Sequence, residues 1–101
     1  QYKFEFSSRA NYNNDTGKAY TDIDEFIGMP SVKTLRVDEQ DARQPLPRAG
    51  SEHISTVYFF SMDKKSIYGL TLEVNKPTEF NIKTGFELFD QILSTFKFTD
   101  N

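Results

Sequence analysis

The chain contains no cysteine and no tryptophan, one histidine, and only five glycines and four prolines among 101 residues. Without cysteine there are no disulfides, no thiolate chemistry and no cysteine-based metal sites. Nothing in the sequence approaches the run of ~18 apolar residues that a membrane span requires. A net charge of −3, with acids and bases interspersed, gives no clustered basic face. Nucleic acid is therefore not an expected partner. Also missing are a Gly-rich phosphate loop, a Ser-His-Asp ordering, an HExxH motif and a paired-carboxylate signature, so no cofactor is expected.

What the chain does have is aromatic residues. Ten Phe and five Tyr supply large apolar area per side chain, enough to predict an aromatic-rich core. Residues 1–101 are read as a single domain or as a piece of a longer protein. The opening Gln1, where a start methionine would stand, suggests a mature or trimmed chain.

Periodicity divides the sequence into elements. "YKFEFSS" alternates aromatic and charged residues, which predicts a half-buried strand with Tyr2, Phe4 and Phe6 on the inner side. "AYTDIDEFIGMP" predicts a short helix, capped by Thr21 or Asp22 and stopped by Gly28 and Pro30. "SVKTLRVD" predicts an edge strand, or one with a bulge. "EQDARQPLPRAGSEH" predicts a long irregular loop, because its prolines forbid a regular helix. "ISTVYFFS" and "SIYGLTLEV" predict a hairpin joined by the polar turn "MDKK". In the first of these strands Val57 to Phe60 are apolar on both faces, which suits a central position. In the second, Tyr68, Leu70, Leu72 and Val74 share one face.

The last stretch, "TGFELFDQILSTFKF", predicts an amphipathic helix with Thr84 as N-cap and Glu87 completing a capping box. Its apolar arc of Phe86, Leu88, Phe89, Ile92, Leu93 and Phe96 is wide enough to lie flat on a sheet. "FKF" is a candidate for a final short strand. The expected fold is α+β: a mostly antiparallel sheet, a C-terminal helix packed on one face, and a second short helix.

With these elements in order, "VYFF", "IYGLTLEV" and "FDQILSTFKFTDN" together resemble the C-terminal half of PsbP-like domains of bacterial exported lipoproteins. The resemblance covers Ile54 to Asn101. It implies a binding or assembly module with no shared catalytic motif. It also implies an extracytoplasmic, membrane-associated or secreted protein, reaching the membrane only through a segment absent from this chain. The implied partner is a protein.

Four groups of residues carry candidate chemistry. His53, with Glu52, Arg48 or Arg43 beside it, is the one candidate acid–base centre and would serve a small hydrolase or nuclease. Arg43 and Arg48 flank "QPLP" in the long loop, and with His53 they are the expected binding residues. Asn11, Asn13, Asp15 and Gly17, followed by Asp22 and Asp24, place oxygens at alternate positions as calcium requires. They depart from a calcium hand because Thr16 precedes the glycine and Asp22 stands where a glutamate belongs, so no metal ligand is assigned and calcium binding stays open. Finally, the aromatic row with Phe86, Phe89 and Phe96 would line a pocket if the domain carried an apolar ligand between sheet and helix. Core packing is the simpler expectation for it.

Overall fold

The computed structural model describes residues 2–28, 32–46 and 53–98. Over these residues the chain is an α+β protein with a five-stranded antiparallel sheet and two helices. The strands are β1 (Tyr2–Ala10), β2 (Val32–Val37), β3 (Gln40–Pro45), β4 (Ile54–Phe60) and β5 (Ser66–Val74). The helices are α1 (Ile23–Ile27) and α2 (Glu79–Thr95). The strand order is β1-β5-β4-β3-β2, so β1 and β2 are the edges.

The β4–β5 hairpin forms as expected, with Val57 opposite Leu70 and Phe59 opposite Tyr68. Its turn is organised by Ser61 and Asp63: Ser61 N donates to Ser66 O at 2.9 Å, and Asp63 Oδ1 accepts from Ser61 Oγ and Lys65 N. Alternation along β4 divides the interior in two. Val57 and Phe59 join Leu72, Val74, Phe89 and Leu93 in the core beneath α2. Phe60, on the opposite face, joins Ile67 and Ile23 beneath α1, with Tyr58 packed against them. Both faces of β4 are thus covered, as its apolar row requires.

The long irregular loop expected from "EQDARQPLPRAGSEH" is corrected here. Its first part is strand β3, which pairs with β2 from Val37↔Gln40 to Val32↔Pro45. Asp38 and Glu39 form a two-residue hairpin turn with φ of 45° and 71°. That left-handed pair matches the twist of the flanking strands, although Asn-Gly is the commoner sequence for it. Against β4, β3 pairs at Ala42↔Phe59 and Arg43↔Tyr58, and a buried Gln44 Nε2 to Ser55 Oγ bond of 2.7 Å adds a side-chain bridge. Ala42 and Gln44 point into the core and Pro45 occupies the strand end. The expected alternation of large apolar residues is therefore missing. The rest of the segment, 47–52, lies outside the described residues.

Helix α2 also begins earlier than Thr84. Its N-cap is Thr78, whose Oγ1 accepts from Asn81 N at 3.1 Å. Thr84 lies inside the helix, so Glu87 forms no capping box with it. Gly85 sits there for contact: a Cβ would lie 3.0 Å from Val74 Cγ2 and 3.1 Å from the Tyr2 ring. This glycine lets the helix approach β5 closely. Phe89 and Leu93 follow on the same buried line. Beyond the helix, residues 96–98 are irregular rather than a strand. They remain tied down, since Phe96 and Phe98 set their rings on Phe59 at 5.2 and 5.9 Å. Asp38 Oδ2 accepts from Phe98 N at 2.8 Å.

Candidate functional site

The arginine and histidine expected to act together are separated. Arg43 lies opposite Tyr58 on β4. His53 sits in the turn before β4, where its carbonyl accepts from Val74 N at 2.9 Å. Tyr58 and His53 are five positions apart along the chain, about 16 Å at ~3.3 Å per residue. Arg48 and Glu52, the other proposed neighbours, lie outside the described residues.

Arg43 holds α1 against the sheet. Its Nε and Nη2 donate to the two carboxylate oxygens of Asp24 at 2.9 and 3.4 Å, and Nη1 donates to Ala42 O at 2.9 Å. This fork is the geometry in which arginine grips a carboxylate. Helix α1 is positioned by its own sequence as well. Asp22 Oδ1 accepts from Glu25 N at 2.8 Å, Thr21 Oγ1 donates to Glu25 Oε2, and Gly28 closes the helix at φ 65°. Beside Arg43 a surface cavity of about 170 Å³ is lined by Asp22, Glu39, Asp41, Lys64 and Phe60 among others. Its charges are mixed, and the arginine in it already has a carboxylate partner.

The Asn-rich loop is built on Asn11. Its Nδ2 donates to Tyr20 O and Lys64 O at 3.1 and 2.8 Å, and its Oδ1 accepts from Tyr20 N at 2.8 Å. Asn13 Oδ1 accepts from Asp15 N, and Gly17 N donates to Asn13 O at φ 72°. These oxygens serve the loop's own backbone. Among the described residues no group of three His, Cys, Asp or Glu side chains converges.

An apolar carrier would need space beneath α2. There Phe89 and Leu93 are packed against Phe59, Leu72 and Val74. A cavity of about 260 Å³ opens along the helix flank, between Lys33, Gln44, Leu46, Phe86 and Asp90.

Neighbours displace several titrating groups. Phe98 N–H, and then Lys97, hold Asp38 below the ordinary carboxylate range. Lys65 N–H and the Ser61 hydroxyl do the same for Asp63. A hydrogen bond from Lys3 to Glu5, 2.8 Å away, raises Lys3.

An exposed apolar strip lies elsewhere, along β1. Phe4 and Phe6 were expected on the covered face of a half-buried strand. They lie on the α2 side but at the sheet edge, and remain 41% and 53% exposed. Leu88 and Ile92, expected inside the helix's buried arc, are each 36% exposed. The buried line of α2 runs through Gly85, Phe89 and Leu93. Leu88 and Ile92 fall to the flank nearer β1, opposite the flank of Phe86 and Asp90.

The backbone phase of β1 follows from two bonds. Asn11 N donates to Lys65 O, and Val74 N donates to His53 O, each at 2.9 Å. In an antiparallel ladder bonded and non-bonded pairs alternate. With Lys3 opposite Glu73 and Arg9 opposite Ile67, the odd-numbered residues of β1 bond to β5. Phe4, Phe6, Ser8 and Ala10 then turn their N–H and C=O groups outward. Among the described residues, no strand lies beyond them.

On the α1 side of this strand Arg9 places its guanidinium 5.2 Å from the Phe26 ring centroid and has no acidic partner among the described residues. Sequence reasoning missed Arg9, although the Lys3, Glu5, Arg9 spacing on one strand face was its available signal. Among the described residues no helix is long and apolar enough to cross a membrane. Comparison with protein-family models, curated proteins and solved structures finds no match to this chain.

Proposed function

We propose that the chain is a non-catalytic binding or assembly domain of an exported bacterial protein, a lipoprotein held near the membrane by a segment outside this sequence. The exposed β1 edge carries this reading. It presents outward backbone donors and acceptors beside an apolar strip of Phe4, Phe6, Leu88 and Ile92. Strand addition at such an edge draws affinity from main-chain bonds and specificity from alternate side chains. The PsbP-like pattern of Ile54 to Asn101 supports the same reading. So do the internal roles of Arg43 and Asn11, which leave those residues committed to the fold.

The test is photo-crosslinking in the native host. A photoreactive phenylalanine analogue at Phe6 should give a discrete adduct, and one at Glu87 on the outer face of α2 should not. Adducts at Arg48 but not at Phe6 would move the site to the β3–β4 connection. No adduct at either, together with ester or phosphodiester turnover abolished by His53→Ala, would replace this function with hydrolysis.

A further inference from the structure

We propose that the β1 edge pairs with the β1 edge of a second copy of this chain, antiparallel, about a twofold axis through Ser7. This rests on the binding reading above and names the partner at that site.

The argument comes from matching the strand to itself. In a symmetric antiparallel pair each register is defined by the residue on the axis. Outward-facing residues must oppose one another so that both backbones bond, which every axis on a residue achieves. At least five strand residues pair for axes from Phe4 to Ser8. Of these, the Ser8 axis sets Ser7 against Arg9 and brings no opposite charges together. An axis at Glu5 opposes Glu5 with its own copy. An axis at Phe6 opposes Lys3 with Arg9. Like charges directly across a strand pair are destabilising.

An axis at Phe4 opposes Lys3 with Glu5, a pair that each chain already makes through Glu5 Oε1 at 2.8 Å, so this register adds no new kind of ion pair. It also sets Phe4 against Phe4 and ends the ladder at Phe6. An axis at Ser7 opposes Glu5 with Arg9 twice, a second cation for the same carboxylate, and the ladder runs from Phe4 to Ala10. On the α2 side it sets Phe4 against Ala10 and Phe6 against Ser8, large against small. On the α1 side Ser7 meets Ser7 without crowding.

Two further features suit this register. Arg9 is stacked on Phe26 rather than bonded to an acid. A guanidinium stacked on a ring keeps its in-plane N–H donors for a carboxylate. The pairing would also cover the exposed side of Phe4 and Phe6, which one chain leaves open.

Charge reversal, backbone editing and a covalent trap test the register. Sedimentation of the unmodified chain should show a concentration-dependent dimer. Glu5→Arg and Arg9→Glu should each weaken it by about tenfold, and the double swap should restore it. Ser8→Pro removes an outward N–H without touching the bonds to β5, and should abolish dimer.

Ser7→Cys supplies the chain's one thiol. Across a non-bonded antiparallel pair the two Cα atoms lie about 4.5 Å apart, within disulfide reach. Mild oxidation should therefore yield covalent dimer from Ser7→Cys and none from Thr71→Cys, one strand inward. A chain still monomeric at about 1 mM, or a dimer indifferent to the charge swaps and untrapped by Ser7→Cys, overturns self-pairing. If the Phe6 crosslink to another protein persists in that case, the binding function stands and only the partner is wrong. If it is also absent, both fail.

Discussion

The two faces of the sheet are held by different physics. On one face, α2 runs 17 residues and meets the strands through a contiguous apolar core of Phe89, Leu93, Leu72, Val74, Val57 and Phe59. On the other, α1 is a helix of five residues that buries only Ile23, in a small cluster with Phe60 and Ile67. Directed contacts add to that cluster: the Arg43 fork on Asp24, Arg9 over Phe26, and Phe26 edge-on to Tyr20 and Tyr58 at 5.4 and 5.5 Å. Apolar burial is not screened by salt, whereas ion pairs at a surface are. The α2 face should therefore set global stability, and the α1 face should loosen locally.

The largest effect should come from emptying the α2 face. Phe89→Ala removes a ring that is 1% exposed and should destabilise by about 3–5 kcal/mol. Ile92→Ala, at a flank position, should cost about 1 kcal/mol or less. Equal losses for the two in urea unfolding would mean that α2 is seated on a different line.

The α1 side has one position of comparable importance, Asn11. It is polar, buried, and bonded to two segments of chain. Asn11→Ala leaves the Tyr20 amide and the Lys64 carbonyl without that partner, and should destabilise by about 2 kcal/mol. If thermal unfolding shows a loss below ~0.5 kcal/mol, water has replaced the amide and the loop is held by other contacts.

The contrast between faces also explains what could be read from the sequence. The burial-driven elements were legible. β4, β5 and the body of α2 announce themselves through period-2 and helical apolar patterns, and α1 through its cap and Gly28. β3 was not. Its inward residues are Ala42 and Gln44, a small side chain and a polar one that finds Ser55. Such a strand is recognisable only once β2 and β4 stand on either side.

Phe4 and Phe6 were placed on the correct side of β1 but with too much burial. Strand order, which makes β1 an edge, is not written in local periodicity. The start of α2 was missed for a related reason. Phe80, in its first turn, is 74% exposed, so the apolar arc begins later than the hydrogen-bonded helix. Arg43 was singled out, but its partner Asp24 belongs to a different element, and nothing local to either residue pairs them.

Capping should come next in size. Thr78→Ala removes the acceptor for Asn81 N and should cost about 1 kcal/mol. Thr84→Ala, inside the helix, should stay within about 0.5 kcal/mol. The reverse order in denaturant midpoints would restore the later helix start.

The Arg43–Asp24 fork should contribute less. Arg43 is mostly covered, but Asp24 is 57% exposed in its side chain. A double-mutant cycle of Arg43→Ala and Asp24→Ala should give a coupling of about 0.2–1 kcal/mol that shrinks with added salt. Amide exchange should quicken in α1 before it does in α2. A coupling indistinguishable from zero would mean that α1 is held by its apolar and Phe26 contacts instead.

The smallest effect is expected at Asp38, a carboxylate that binds residues 97 and 98 beyond α2. Asp38 accepts from Phe98 N and Lys97 Nζ. The Phe98 amide is the first cause of its lowered pKa. Because the folded value lies below the unfolded one, the contribution is present in full above the ordinary carboxylate pKa of ~3.9 and is lost as pH falls through the folded value. Stability between pH 5 and 8 should therefore be indifferent to this titration, and the tail should loosen only in acid. Asp63, lowered by Lys65 N–H and Ser61, titrates in the same direction at the β4–β5 turn, so bulk unfolding alone cannot assign the change. The discriminating measurement is the amide chemical shift of Phe98 against pH, with Asp63→Asn as background. It should move with a midpoint below that of a free aspartate, and Asp38→Asn should abolish the transition. A Phe98 amide that titrates unchanged in Asp38→Asn would show that the tail is held by its rings on Phe59 alone, and the α2 face would then lose its polar pin.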